Sequence, residues 1–464
     1  MLRFPLHLRT SVAGSAFQAV ERLPALAIAR RCSFSTQALS VEPGMNAPPP
    51  PVFPGGDAHP AQQGPSSPAV AGAGAVDFEQ TLQLLAREKA TPVSLTNLFR
   101  SALHPTPQQS LLNAQFLWRE LRVRFAHRAK QLRELPPQLS QHPCMVEAAD
   151  TYTRMTALLL TCPKPRTPAD EEAFARVLAA TRPTSHLIPH KIGVALADVH
   201  RSQPLSPEEQ REVNLSLDAF FMSRVGHRLL IQHYLCSKKH REGFAGIIQS
   251  HCSPVTVCES VARNVKELVR ERCGMCPEIH VIGERNHTFT YVPSHIYFIA
   301  NELLKNAASA TVRQHRGKGQ DALPPVRVIV VRGEHDVNIK VEDEGGGMAR
   351  SKLKEIWSYT GHWTETDDSP DLDPTPAPTV GGDAAPIARH GLGLPLARLY
   401  AKYFGGTLHV TPMEGYGTDC YVKLNRLGDH NCENLPSVVR TSPGERDSLP
   451  PPVGCGLFDA QAKR

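Results

Sequence analysis

No run in this 464-residue sequence approaches the roughly 18 uninterrupted apolar residues that a membrane-crossing helix needs, and no membrane insertion is expected. Blocks of a single charge are lacking too. The 45 acidic residues are interspersed among 51 lysines and arginines, for a net charge of +6. That mixture excludes a nucleic-acid binder built on phosphate contacts and leaves acidic protein partners open. A disulfide framework is equally absent: the cysteines number eleven, an odd count, and lie scattered from Cys32 to Cys455 in a chain too long to need cross-links. They read as reduced, buried thiols. Cys273 and Cys276 form a C-x-x-C, but Cys252 and Cys258 are too far apart to complete a zinc spacing, so the pair reads as a helix end turning into a strand.

The start of the chain is nearly free of acid. Glu21 stands alone against Arg3, Arg9, Arg22, Arg30 and Arg31, with serines between short apolar runs, which reads as a mitochondrial transit peptide over residues 1–40, with a disordered basic tail as the plainer alternative. Prolines, by contrast, are in excess: 41 of them, about 9% of the chain against a usual value near 5%, so part of the chain must be linker. Residues 41–77, rich in Pro, Ala and Gly, cannot bury a core and are expected to be a disordered linker, and residues 431–464 a flexible tail.

Between these lie two patterned regions. Over 78–242 the period is helical: Leu117, Leu121 and Phe125 recur every four residues, and Val213, Leu217, Phe221, Val225 and Leu229 trace one apolar stripe. Prolines punctuate the region into an antiparallel bundle of about four helices. Over 255–430 short alternating runs appear at 279–282, 326–332, 337–341, 407–410 and 420–424, with helices near 257–268, 294–315 and 394–404. The fold class is therefore α+β, a helical bundle followed by an α/β sandwich with helices on one face of a sheet. The acid- and proline-rich stretch 364–388 is expected to be a mobile loop within the second region.

The chemistry-bearing residues of the second region fall into clusters. Glu302 and Asn306 are four apart on a helix and share a face, where a carboxylate can take a proton from a hydroxyl and a neutral amide oxygen can ligate magnesium. Asp343 ends an alternating strand and precedes Glu344, Gly345, Gly346 and Gly347; the glycines allow close backbone approach, and the carboxylate can accept from the exocyclic amine of adenine. Gly391, Leu392, Gly393 and Leu394 lead into a helix, where unpaired N–H groups suit a triphosphate. Gly415, Gly417 and Thr418 form a further glycine turn with a hydroxyl able to close over a nucleotide. Taken singly, each has an ordinary reading as a solvated polar pair, an acidic turn, a helix start or a hairpin turn.

In this order the clusters resemble the Bergerat nucleotide-binding plan shared by gyrase-type ATPases, heat-shock chaperones, mismatch-repair ATPases and histidine kinases. Within that superfamily the wording is similar to the mitochondrial kinases of 2-oxoacid dehydrogenase complexes, the pyruvate dehydrogenase kinases and the branched-chain 2-oxoacid dehydrogenase kinase. It is carried by 302–307, 391–395, 398–404 and 414–419, and in the first region by 114–124 and 223–233. The resemblance implies an ATP-dependent protein serine kinase of the mitochondrial matrix. Glu302 would be the general base and Asn306 the holder of Mg²⁺. Asp343 would select adenine beside Gly345 and Gly347, while Gly391, Leu392, Gly393, Leu394 and Thr418 would hold the phosphates. Its substrate would be the decarboxylase subunit of a 2-oxoacid dehydrogenase complex, which phosphorylation would inactivate. The helical domain would dock a lipoyl domain of the acyltransferase core, and the second domain would mediate a homodimer.

Several positions depart from the family pattern on the phosphate side: Glu344, Ser309, Arg389, His362 and Trp363. They favour, as one alternative, a catalytically weak regulator that binds the complex and nucleotide. A histidine kinase is another, although His227 and His233 are followed by non-acidic residues. Residues 244–254 look more like the branched-chain kinase and 398–404 more like the pyruvate kinases, so both substrate complexes stay open.

Overall fold

The structure, a computed structural model, describes residues 73–360, 391–426 and 432–435. The expected transit peptide, the expected loop 364–388, and Arg389, His362 and Trp363 lie outside those residues. The chain falls into two compact units, Met1–Thr81 and Leu82–Arg464. Of the first, residues 73–81 are described; they open helix α1 (Ala73–Leu85), which thus begins inside the stretch expected to be linker.

In the second unit the described helices are α2 (Leu95–Leu103), α3 (Pro107–Arg133), the single turn α4 (Pro137–Ser140), α5 (Pro143–Thr161), α6 (Pro168–Thr184), α7 (Ile188–Ser202) and α8 (Pro207–Ser237). Many of the surplus prolines are helix starts. Pro107, Pro143, Pro168 and Pro207 each occupy a first turn, where a missing N–H costs nothing, directly behind a capping Thr106, His142, Thr167 or Ser206. The last two threonine and serine caps are completed by Asp170 and Glu209 as capping boxes. Helix α3 packs on α5, α6 and α8, and the expected stripes are what meet: Leu117, Leu121, Phe125, Val213, Leu217, Phe221, Val225 and Leu229 are all buried. Five long helices, rather than about four, make this bundle. The additional helix comes from the turn at Thr184–Ile188, which separates α6 from α7, with Pro189 in the first turn of α7.

After α8 come β1 (Phe244–Ala245), β2 (Ile248–Cys252), α9 (Pro254–Cys273), β3 (Ile279–Ile282), β4 (Phe289–Tyr291), α10 (Pro293–Gln314), β5 (Val326–Arg332), β6 (Asp336–Asp343), α11 (Gly393–Lys402), β7 (Thr407–Met413) and β8 (Gly417–Asn425). Short 3-10 turns sit at Gln320–Ala322 and Arg350–Trp357. The main sheet has the order β3-β5-β6-β8-β7, parallel only between β3 and β5. Its alternation follows the residues: Val337, Ile339 and Val341 point into the core, while Asn338 faces water. Helices α9, α10 and α11 cover that one face. The other carries exposed Ile282, Val331 and Tyr421. Strand β7 forms one edge, with Pro412 opposite Thr418. A second sheet, β1-β2-β4, went unread in the sequence because its strands are two to five residues long. Helix α9 ends at Cys273 on a left-handed Gly274, with β3 following, so the C-x-x-C sits at a helix end before a strand.

Within the stretch read as a flexible tail, residues 432–435 are packed. Cys432 bridges to Ser94, the backbone of Glu433 pairs with the carbonyl of Val93, and the Glu433 side chain is buried. The physical reason is an ion pair with Arg124, whose partner cannot be found by local pattern.

Candidate active site

Helix α10 follows directly on β4, with Pro293 in its first turn, and turns Ile299, Leu303 and Ala307 into the core. The same winding leaves Glu302 only 5% exposed and Asn306, one turn later, exposed. Glu302 Oε1 accepts from Lys305 Nζ at 2.6 Å and from the Asn301 amide at 3.3 Å. A carboxylate in this setting keeps Oε2 available to a neighbour.

That neighbour is the third cluster. A Cβ built on Gly393 would collide with Glu302 Oε2, so the first turn of α11 lies directly against the carboxylate, and glycine is the residue that permits the approach. Leu392, at the helix start, supplies no side-chain cap; Gly391 before it is exposed with φ +65°. Among the described residues no side-chain cap is seen on the first N–H groups of α11, which belong to the positive end of the helix dipole. Leu392 is buried and Leu394 half-buried, anchoring the loop on either side of Gly393.

Asp343 ends β6 and is buried. Burial pushes its carboxyl up to about 6, against the pull of backbone N–H groups from Gly345 and Thr418; the Gly345 N–H reaches Oδ1 at 2.8 Å. Gly345 also touches α10: a Cβ there would stand 2.5 Å from the Cβ of Ala310, one turn beyond Asn306. The hairpin β7–β8 closes the other side. Gly346 exchanges backbone hydrogen bonds with Tyr416 and Gly415, Gly347 lies under the carbonyl of Met413, and Thr418 stands opposite Asp343. The four clusters, spread over 117 positions from 302 to 418, thus meet edge to edge. Gly393 joins the first to the third, Gly345 the first to the second, and the Asp343–Thr418 pair the second to the fourth.

Lys305 was missed as a site residue, although its signal was present: a lysine three positions after a glutamate on a helix shares its face. Of the departures within the described residues, Ser309 is half-buried on α10, and the Glu344 carbonyl accepts from the His315 ring at 3.2 Å. His227 and His233 are both buried in the bundle. Burial depresses both imidazoles, His233 to about 4, and neither offers an exposed ring nitrogen to a phosphoryl group. Among the described residues no group of three or more His, Cys, Asp or Glu is placed to hold a metal by itself. An exposed neutral amide such as Asn306 suits a cation that brings phosphate oxygens as its other ligands.

Comparison with known proteins matches two stretches of the chain to family models. The sequence model of a family described as mitochondrial branched-chain alpha-ketoacid dehydrogenase kinase matches residues 92–249. One described as histidine kinase-, DNA gyrase B-, and HSP90-like ATPase matches residues 291–427, which contain all four clusters. The chain is 35% identical over 353 residues to the mitochondrial pyruvate dehydrogenase (acetyl-transferring) kinase of Arabidopsis thaliana, covering 75% of this chain and 93% of that one. It is 38% identical over 262 residues to the enzyme of the same name from Schizosaccharomyces pombe, covering 55% and 59%. With isozyme 4 of Mus musculus it shares 29% over 370 residues, covering 76% and 86%.

Proposed function

Because the chain belongs to the family of mitochondrial 2-oxoacid dehydrogenase kinases, we propose that it is an ATP-dependent protein serine kinase that phosphorylates and inactivates the decarboxylase subunit of such a complex. The observation that carries this reading is the approach of Glu302 Oε2 to Gly393. It sets a buried carboxylate beside the helix N-terminus where a terminal phosphate would lie. Glu302 accepts the serine hydroxyl proton as the serine oxygen bonds to the γ-phosphorus and the bond to the β-phosphate oxygen breaks, releasing ADP. Gly391 to Leu394 and Thr418 hold the phosphates, and Asp343 accepts from the adenine amine, with Gly345 and Gly347 allowing the base to come close. Asn306 is the residue that would hold Mg²⁺, which when bound would neutralise charge on the phosphates.

All three of these relatives carry the acetyl-transferring name and act by that name on pyruvate dehydrogenase, which favours the pyruvate complex over the branched-chain one. A lipoyl domain docked on the helical bundle belongs to the same proposal, and the match of residues 92–249 to the dehydrogenase-kinase family supports it. A homodimer through the second domain is supported by the helix-free sheet face with Ile282, Val331 and Tyr421. Residence in the matrix is supported by the arginine-rich start.

Incubating the purified protein with each decarboxylase complex and labelled ATP tests the proposal. Label on serine of the pyruvate decarboxylase subunit is expected. Nucleotide and lipoyl-domain binding without transfer to either complex would instead establish the weak regulator.

A further inference from the structure

The longest bundle helix, α8, holds two separate parts of the second domain with one face. Asn214, Asp218 and Phe221 stand at i, i+4 and i+7. Asn214 Oδ1 accepts from the Tyr359 N–H at 2.7 Å, and its amide donates to Ser358 Oγ at 2.9 Å. Phe221 stacks on the Tyr359 ring with centroids 5.5 Å apart. Asp218 takes the Tyr359 hydroxyl at 2.8 Å, and on the same carboxylate it receives Arg398 Nη2 at 3.2 and 3.1 Å. Arg398 in turn lies 4.9 Å over the Trp357 ring.

Tyr359 follows the Asp343 cluster, and Arg398 is five residues beyond Gly393 on α11. Helix α11 packs on α8 and on α10. Arg398 is mostly shielded, with 17% of its side chain exposed, and Asp218 at 35% is its ion-pair partner. The pair is a charged tie between the bundle and the helix whose first turn faces Glu302.

We infer that Asp218 is a positioning residue for the nucleotide site: through Arg398 it fixes α11, and so the Gly391 to Leu394 turn, against the bundle. This rests on the reading of that turn as the phosphate holder. A helix is stiff, so a displacement at Arg398 is delivered to its N-terminus, where the phosphate donors are set by position rather than by side-chain choice. Asp218 touches no nucleotide itself; its effect is on affinity for the phosphates, not on proton transfer to Glu302.

The test uses the full chain, with Mg-ADP affinity by calorimetry and steady-state kinetics for ATP. Asp218→Asn keeps an acceptor for Tyr359 and removes the charge facing Arg398. It is expected to raise the ADP dissociation constant and the KM for ATP by about five- to tenfold, with kcat within about twofold and the melting temperature within about two degrees. Combining it with Arg398→Gln should cost no more than the single change, since both remove one interaction. Should Asp218→Asn not fold, Arg398→Lys, which keeps a cation but loses the planar fork, is expected to raise the same constants about two- to fivefold. A folded variant with the parent's affinity overturns the inference, as does a variant in which KM, kcat and melting temperature all deteriorate together. A parent that binds no nucleotide overturns the site reading instead.

Discussion

Arg124 and Glu433, 309 positions apart in the chain, form a fully buried ion pair with Nη2 to Oε2 at 2.7 Å. Burial works against the charge on Arg124, and Glu433 together with Glu120 outweighs it and holds the guanidinium protonated. Glu433 also receives the hydroxyl of Tyr403 and the Val93 N–H, so one carboxylate ties the bundle to the end of α11. Removing one member of such a pair strands the other without solvent. Glu433→Ala is expected to lower unfolding free energy by about 3–5 kcal/mol, read from urea denaturation. A loss below about 1 kcal/mol would show that Glu120 alone suffices for Arg124.

Glu302→Gln should separate chemistry from binding. The carboxylate is directed at the start of α11 and not at the adenine end, so Mg-ADP affinity should stay near that of the parent. Phosphoserine formation should fall by about a hundredfold or more, the usual worth of a positioned base. Unchanged transfer would take Glu302 out of the mechanism.

Asn306→Ala should leave the fold intact, because the side chain is exposed and makes no part of the helix core. Mg-ATP binding should be lost, since the described residues offer no cluster of His, Cys, Asp or Glu to take over the cation. Thermal melting with and without Mg-ATP checks both halves: equal melting temperatures for the apo forms, and ligand stabilisation in the parent alone.

Asp343 predicts a pH effect with a definite sign. Its carboxyl is raised to about 6 in the folded chain, so it takes up a proton more readily there than when unfolded. The associated stability is fully present below about pH 4 and declines as pH rises through about 6. Nucleotide affinity should run the opposite way: as pH falls from about 7 to 5 the acceptor for the adenine amine is protonated, and binding weakens. Asp343→Asn should flatten this profile, and Asp343→Ala should erode the preference for ATP over GTP. Equal ATP and GTP affinity in the parent would refute the adenine assignment.

What could be read from the chain was what repeats locally. Val337, Ile339 and Val341 announce a half-buried strand by alternation, and Glu302 and Asn306 declare a shared helical face by spacing alone. The approach of Gly393 to Glu302 carries no such mark, because it depends on how two helices 91 positions apart pack. Glu433 looked like one more acid in a polar tail; its burial is a property of Arg124, not of its neighbours. Pro107, Pro143, Pro168 and Pro207 open helices, and the capping residue just before each is the cue that marks a helix start.

Strand β7 has a consequence for solubility. It is an edge of the main sheet, and an edge strand offers a row of free backbone donors and acceptors to any other extended chain. In an antiparallel ladder, a residue whose N–H is directed at its partner must supply one, so Pro412, opposite Thr418, falls where the missing donor would face outward. The proline costs the sheet nothing and removes one rung from the outer side; His409 and Thr411 are exposed on this strand, as is Met413. At high concentration this edge resists templating a neighbour's strand, and Pro412→Val should make the protein more prone to aggregate, read by light scattering.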